Sequence, residues 1–325
     1  MLSVHPKREG AHHVEPRNRH RSRTRRIRRR ATARRAGNQR PAPDQVRQRA
    51  RAPADRPPTR RRLGFRGPAL GQRGRHGHLH CIHAAYNAAD WERELPAAEK
   101  VVLDAAASIG AVVVFPESLY AYNSDTLMTE SDPRNATGGK RGVRTALLRA
   151  REASATPTVS VVASDFFGPR VRTAHAGERM VPKVMAGKKI RVIGSADQPH
   201  SFTYIPDLAA AMIAAAHNPE LWNSVIHAPT GPALTQRKIA EAFARAAGAT
   251  PAKVGVLPAW VLDAVGKINT DSRELAEMNY QFTKPFVMDS SASEVLLGLS
   301  PTPLDQAAEE TVAWWRAEQA RTAAA

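Results

Sequence analysis

Hydrophobic and polar positions change character at about residue 78. From there to the C-terminus, short apolar runs alternate with stretches that have the period of a helix. The runs AVVVFP at 111–116 and TVSVVAS at 158–164 are apolar throughout, which predicts parallel strands buried on both faces. In the stretches before and between these two runs, apolar residues recur with the spacing of a helix, which predicts helices there. This alternation indicates βαβ units and a sheet covered by helices on both sides.

The remaining elements are shorter. We predict a break at Pro96 in the first helix, and we take Thr235 as the residue that caps a later one. The other predicted strands lie at 78–84, 189–194 and 224–229, and the predicted helices at 89–108, 141–152, 206–218, 235–247, 259–265, 272–278 and 304–318. The predicted fold class is α/β, a Rossmann-like doubly wound parallel sheet. Parts of about 170–200 and 232–300 would form a small C-terminal substrate lobe within 78–325.

The first 77 residues do not share this pattern, and they carry the excess charge. Residues 1–80 hold 24 of the 48 basic residues and 4 of the 30 acidic ones, so the rest of the chain has 24 and 26. All the basic residues of that segment are Arg except Lys7. Because it offers almost no apolar surface to bury, we predict that 1–77 is disordered.

Three interpretations of this Arg-rich segment remain open. Arg, Ala, Pro and Gly have GC-rich codons, so a GC-rich gene translated in the wrong frame or from a misplaced start would give this composition. A real basic arm for nucleic acid is the second interpretation, and a targeting segment the third. The near-neutral charge of the remaining chain makes a nucleic-acid partner the weaker expectation.

The chain has a single cysteine, Cys81, which excludes an internal disulfide and is typical of a reducing compartment. No apolar stretch approaches the roughly 18 residues that a membrane helix needs. The Arg-rich start is not followed by the apolar region of a signal peptide. We therefore expect a cytoplasmic protein without a membrane partner.

Several short motifs follow one another in a recognisable order. They are PESLYAYN at 116–123, TGGKRGVR at 137–144, SDFFGP at 164–169, HSFTYIPDLAAAM at 200–212 and SVIHAPTGPALTQRKIAEAFA at 224–244. In this order and spacing the chain from His80 to Glu318 resembles the NAD-dependent epimerase/dehydratase family, the extended short-chain dehydrogenases. The resemblance implies an oxidoreductase or isomerase that uses NAD or NADP on a small substrate such as a sugar nucleotide, and it is compatible with a homodimer.

In that family a Tyr is the general acid/base, a Lys lowers its pKa and contacts the cofactor ribose, and a Ser orients the substrate oxygen. The resemblance places the Ser at Ser118 and the Lys at Lys140. The Tyr of the YxxxK motif is replaced by Ala136, which has no proton to transfer. Tyr120 or Tyr122 could take that role. Otherwise the chain uses another acid/base, or binds a nucleotide without catalysis.

The resemblance also implies binding residues. Cofactor contacts are expected from Lys140 and from residues at the ends of two predicted strands, namely Ile82, His83, Ala84 and Ser164. Substrate contacts are expected from Asp165, His175, Arg179, His200 and Tyr204. No metal site is expected, because His80, Cys81 and His83 lack a second cluster of ligands.

The first βαβ unit of such a fold, which supplies most of the pyrophosphate site, is not recognisable before His78. Residues 1–77 have about the length of the missing elements, which favours the frame-error interpretation. We therefore expect weak NAD or NADP binding by the chain as written, and an exposed sheet edge. The functional alternatives are an epimerase/dehydratase-like enzyme, a non-catalytic NAD(P)-binding or regulatory protein, and a nucleic-acid-binding protein.

Overall fold

The computed structural model describes residues 77–123 and 127–324. Eight strands and ten α-helices are found there. The strands are β1 (Gly77–Leu79), β2 (Val112–Ser118), β3 (Thr158–Ala163), β4 (Asp165–Phe167), β5 (Ile190–Ile193), β6 (Phe202–Tyr204), β7 (Ser224–His227) and β8 (Val254–Leu257). The helices are α1 (Ala88–Ile109), α2 (Gly139–Glu152), α3 (Val181–Met185), α4 (Ile205–His217), α5 (Gln236–Ala247), α6 (Ala259–Gly266), α7 (Thr270–Ala276), α8 (Tyr280–Thr283), α9 (Ser291–Leu297) and α10 (Leu304–Ala324).

The central sheet has four parallel strands in the order β1-β2-β3-β7. Successive residues of β2 point to opposite faces, so each face has its own core. Val112 and Val114 pack with α4, while Val113 and Phe115 pack with α1. The predicted α/β fold with a doubly wound parallel sheet is confirmed.

Two small sheets complete the structure. Strands β4 and β6 pair in parallel beside the carboxyl end of β3, and β5 pairs in parallel with β8. The largest core cluster joins the β5 region to α3, α5 and α10. Helices α6, α7 and α8 follow β8. The boundaries of a separate substrate lobe stay a prediction.

Two local predictions were wrong. The strand expected at 78–84 ends at Leu79, and only the His80 N–H still bonds to the sheet, at Val114 O (2.9 Å). The chain then leaves the sheet to reach Asn87, whose side chain accepts from the N–H groups of the first turn of α1. The break expected at Pro96 is absent, since α1 is continuous from 88 to 109. Buried Trp91, Leu95 and Glu99 hold the helix on both sides of the proline, and packing there outweighs the lost backbone bond.

The Thr235 cap is confirmed, since its hydroxyl accepts from Lys238 N at 3.1 Å. The disordered arm, its frame-error origin and the missing first βαβ unit all concern residues outside the part that the structure describes. Within that part, no helix combines the length and the apolar character that crossing a membrane requires.

Candidate active site

The predicted catalytic Ser118 is the last residue of β2, at its carboxyl end. Its N–H donates to Glu117 Oε1 (2.8 Å), and the Glu117 side chain is fully buried. Arg151 binds the other Glu117 oxygen at 2.8 Å and also forms two bonds to the buried Glu99. Arg144 lies 3.4 Å from Glu117 Oε1. A buried ion network under β2 therefore fixes the backbone that presents Ser118.

Tyr120 lies in the turn of 3₁₀-helix that follows β2, and its hydroxyl is 3.0 Å from the hydroxyl of Tyr86. Its ring stacks on Trp91 at 6.1 Å, and the Tyr86 ring meets Trp91 edge-on. Burial raises the pKa of both tyrosines above the ordinary value. Both phenols are consequently protonated at neutral pH.

Tyr122 has a different environment. It belongs to an apolar cluster with Leu119, Met128 and Phe286. The His227 Nδ1 lies 2.6 Å from a carbonyl oxygen, that of Asp289, so Nδ1 donates and Nε2 accepts. The Tyr122 hydroxyl therefore donates to His227 Nε2 at 2.8 Å. Burial raises the pKa of Tyr122 to about 12.

Lys140 is the second residue of α2, and its side chain is fully buried. Its Nζ donates to Glu274 Oε2 (2.6 Å), Glu277 Oε2 (2.6 Å) and Glu274 O (3.0 Å). The Tyr86 ring covers it at 4.9 Å. An ammonium has three N–H groups, and all three are used here.

Ala136 precedes α2 and lies outside it. Its N–H donates to Ala121 O (3.0 Å), and its carbonyl accepts from the Thr145 hydroxyl (2.7 Å). In the YxxxK motif one helix turn brings Tyr and Lys to the same face. Here α2 begins only at Gly139, so the helical turn that would align residues 136 and 140 is missing as well as the tyrosine.

Asp165 and His200 form a pair beyond the carboxyl end of β3. His200 Nε2 lies 2.7 Å from Asp165 Oδ2, and its Nδ1 donates to Gln281 O at 3.1 Å. The His200 ring is buried between Phe282 and Phe286, whereas the Asp165 side chain is partly exposed. A carbonyl oxygen only accepts, so Nδ1 donates to Gln281 O and Nε2 is left to bond with Asp165 Oδ2.

Gln281 joins this pair to the tyrosines. Its carbonyl accepts from His200, and its side chain hydrogen-bonds Tyr120. Two buried hydroxyls nearby, those of Tyr280 and Ser164, have no hydrogen-bond partner among residues 77–123 and 127–324. Unpaired buried hydroxyls are costly, so they indicate where a ligand or water would bind.

The other predicted substrate residues divide into two groups. The His175 ring lies 4.9 Å from the same Phe282 ring that His200 stacks on, at an angle of 40°, and His175 and Arg179 line a cavity of about 180 Å³ together with Leu262 and Leu275. Burial lowers the pKa of His175 to about 4. Tyr204, by contrast, lies in the core with its hydroxyl donating to Glu310 Oε2 (2.6 Å), away from this group.

The predicted cofactor residues follow the ends of β1 and β3 or lie in the first turn of α2, but they do not offer a complete site. Ile82 is exposed, and His83 Nε2 accepts from Arg144 at 2.8 Å while Nδ1 donates to Ala84 O. Ser164 has its unpaired hydroxyl. Lys140 does not fit a ribose in this conformation, because its donors are taken. The structure therefore does not support a step through a dinucleotide at Lys140.

Sequence reasoning missed the residues that surround these candidates, namely Tyr86, Glu274, Glu277, Tyr280 and Gln281. Tyr86 could have been found, because it follows the first apolar run and precedes the cap of α1. The others belong to α7, to the residue that follows it and to α8, and the folding of this segment back onto the sheet has no local signal. Within the described ranges, no group of three or more His, Cys, Asp or Glu side chains is arranged for a metal ion.

Comparison of sequences assigns a family to part of the chain. Residues 82–225 match the model of the NAD dependent epimerase/dehydratase family. None of the curated proteins compared with the chain matches it.

Solved structures with a similar fold include three from bacteria. The UDP-glucose 4-epimerase of Thermotoga maritima, solved with UDP-glucose, is 16% identical and has a TM-score of 0.57, covering 75% of this chain and 78% of that one. The UDP-N-acetylglucosamine 4-epimerase of Bacillus cereus is 15% identical and has a TM-score of 0.57, and the match covers 74% of this chain and 77% of that one. The Bordetella bronchiseptica enzyme WbmH, in complex with NAD+, is 17% identical and has a TM-score of 0.55, and the match covers 74% of this chain and 75% of that one. The fold of the described residues thus agrees with the match of residues 82–225 to the NAD dependent epimerase/dehydratase family.

Proposed function

We propose that this chain is an NAD(P)-dependent, epimerase/dehydratase-like oxidoreductase that acts on a hydroxyl or carbonyl group of a sugar nucleotide or a similar small molecule. One observation carries the proposal. Two hydrogen-bonded pairs, Tyr86–Tyr120 and Asp165–His200, are joined through Gln281 at the carboxyl ends of β2 and β3. Open α/β sheets bind their ligands at this end.

Each pair has a role that its chemistry suits. The Tyr120 phenol, kept protonated by burial, donates to the substrate oxygen as negative charge develops there. The Asp165–His200 pair gives or takes a second proton. Ser118 orients the substrate oxygen. NAD or NADP, when bound, would exchange hydride with the substrate carbon.

The comparisons support the class of reaction only. Among the similar structures, one was solved with UDP-glucose and others with NAD. Members of this class use a Tyr four residues before the Lys, and this chain has Ala136 there. Tyr120 is therefore our candidate for the acid/base.

The test combines binding with turnover. Purified chain is titrated with NAD+ and NADP+ by calorimetry, and then incubated with UDP-glucose, UDP-N-acetylglucosamine or dTDP-glucose while NMR follows epimer or keto-sugar formation. We expect weak cofactor binding and slow product formation that Tyr120→Phe abolishes. Product formation that does not depend on added NAD(P) or on Tyr120 would contradict the proposal, as would no cofactor binding at all.

The second candidate is a non-catalytic NAD(P)-binding or regulatory protein of the same fold. The loss of the YxxxK geometry at Ala136 favours it, because the residue that would transfer the proton is missing. Cofactor binding without turnover of any of the three sugar nucleotides would support this candidate over the enzyme.

A further inference from the structure

The enclosure of Lys140 comes from one short segment of the chain. Both carboxylates that bind its ammonium, those of Glu274 and Glu277, belong to α7 and the residue that follows it. The segment lies more than 130 residues from Lys140 in sequence. Its contacts with Lys140 are therefore tertiary, and they can form or break without unfolding α2.

The same two carboxylates also occupy the starts of two longer helices. Glu274 Oε2 accepts from Ala88 N at the first residue of α1 (3.0 Å), and Glu277 Oε1 accepts from Lys140 N in the first turn of α2 (2.8 Å). Helix N-termini carry partial positive charge and bind anionic oxygens. An ammonium and two helix N-termini thus form an anion site that the chain fills with its own carboxylates.

A glycine allows this close approach. Gly139, at φ +48°, is the first residue of α2, and a Cβ atom at this position would overlap the Glu277 carboxylate. Alanine there would push Glu277 away from Lys140 without changing any charge, and it would also strain the backbone at φ +48°.

Glu274 and Glu277 lie in a hairpin, formed by α6, α7 and the residues up to Asn279, that is held together by its own contacts. Gly266 of α6 packs against the backbone of Arg273 in α7, and Asn279 Nδ2 donates to Asp263 Oδ1 (3.1 Å). Between this hairpin and the domain lies the cavity of about 180 Å³ lined by Leu262, Leu275 and His175. This cavity leaves part of the contact surface between the hairpin and the domain unfilled.

We propose that α6 and α7 form a latch. In the closed state, Glu274 and Glu277 hold the Lys140 ammonium, and a dinucleotide that needs this ammonium must displace them. The identity of the ligand rests on the proposed function. The existence of the closed state, in which the two glutamates hold Lys140, does not depend on it. Binding of the ligand and closure of the latch exclude each other.

The first experiment measures closure without any ligand. The full chain is treated briefly with an acetylating N-hydroxysuccinimide ester, and acetylation of Lys140 is compared by mass spectrometry with that of the exposed Lys238. In the wild type, Lys140 should react at least about tenfold more slowly. In Glu274→Gln/Glu277→Gln the buried ammonium loses its counter-charges, and the difference should disappear.

Gly139→Ala provides a second variant that acts by sterics, and Glu309→Gln on an exposed position of α10 is the matched control. Gly139→Ala should also raise Lys140 reactivity, whereas the control should not. Lys140 that reacts like Lys238 in the wild type, or that stays protected in both latch variants, would overturn the proposal.

The second experiment adds NAD+. The Glu274→Gln/Glu277→Gln variant should bind NAD+ about tenfold more tightly than the wild type, and NAD+ should speed amide hydrogen exchange at 268–283 in the wild type. Equal affinities with unchanged exchange would overturn the latch. If neither protein binds NAD+, the proposed function fails, and acetylation of Lys140 still decides whether the latch exists.

Discussion

The hydroxyls of Tyr86 and Tyr120 lie 3.0 Å apart, although 34 residues separate them in sequence. Tyr86 follows the end of β1 and Tyr120 the end of β2, so the parallel pairing of these strands brings them together. The pair lies beside Lys140, whose positive charge Glu274 and Glu277 compensate. Burial raises the pKa of both phenols, so they keep their protons at neutral pH and can donate one to a substrate oxygen.

Replacing Tyr120 tests the acid. Tyr120→Phe should lower the turnover found with a sugar nucleotide by about 100-fold or more, because general acid–base catalysis contributes that much. The measurement is kcat by NMR or by absorbance of the reduced cofactor. Thr156→Ala, which removes a hydrogen bond to Leu103 O before the amino end of β3 and costs about 1 kcal/mol, is the control for stability loss and should keep its activity. Activity that survives Tyr120→Phe would assign the proton transfer to another group.

Tyr122 should behave differently. Tyr122→Phe removes the donor to His227 Nε2 and leaves a buried acceptor unpaired, at a cost of about 1–3 kcal/mol in the free energy of unfolding. Its kcat should change little, because the hydroxyl points into the core. Urea unfolding and kcat measured on the same preparation check both statements. A large loss of kcat at unchanged stability would return Tyr122 to the catalytic candidates.

The ion network under Ser118 predicts a stability effect. Arg151→Met leaves Glu99 and Glu117 buried without their partner, so the free energy of unfolding should fall by about 3–5 kcal/mol. Arg245→Gln is the matched control, because the Arg245–Asp305 pair is exposed and should contribute less than about 1 kcal/mol. If Arg151→Met and Arg245→Gln unfold at similar urea concentrations, the predicted difference in their stability is wrong. Adding Glu99→Gln to Arg151→Met removes the charge of one buried carboxylate, so it should restore part of the lost free energy of unfolding.

The buried His175 predicts a dependence on pH. Its pKa is lowered from 6.5 to about 4 by burial, so the unfolded chain binds the proton more readily. The free energy of unfolding is therefore highest, as far as His175 is concerned, above pH 6.5. It falls by up to about 3 kcal/mol as the pH decreases towards 4. In His175→Gln, stability between pH 7 and 5 should fall less steeply than in the wild type, as measured by urea unfolding. His217→Gln, at an exposed position, should keep the wild-type slope, and identical slopes for all three proteins would refute the effect.

Much of the fold was predictable because its signals are local. The apolar runs at 111–116 and 158–164 each became a central strand, and the helical period placed α2, α4 and α5 within two residues of their observed ends. Local signals failed where tertiary contacts compete with them. Pro96 does not break α1, because the buried face around it is packed, and the first strand ends early, because the chain must reach Asn87.

The candidate site was predictable only in part. The sequence by itself determined that Ser118, Tyr120, Ser164 and Asp165 follow strand ends, and parallel strands place such residues at one edge. It also determined that Ala136 cannot transfer a proton. Only the tertiary structure decided that Tyr86 reaches Tyr120, that Tyr122 turns to His227, and that Lys140 is enclosed by Glu274 and Glu277. These contacts join residues more than 30 positions apart, and no local pattern encodes which distant side chain meets a buried charge or hydroxyl.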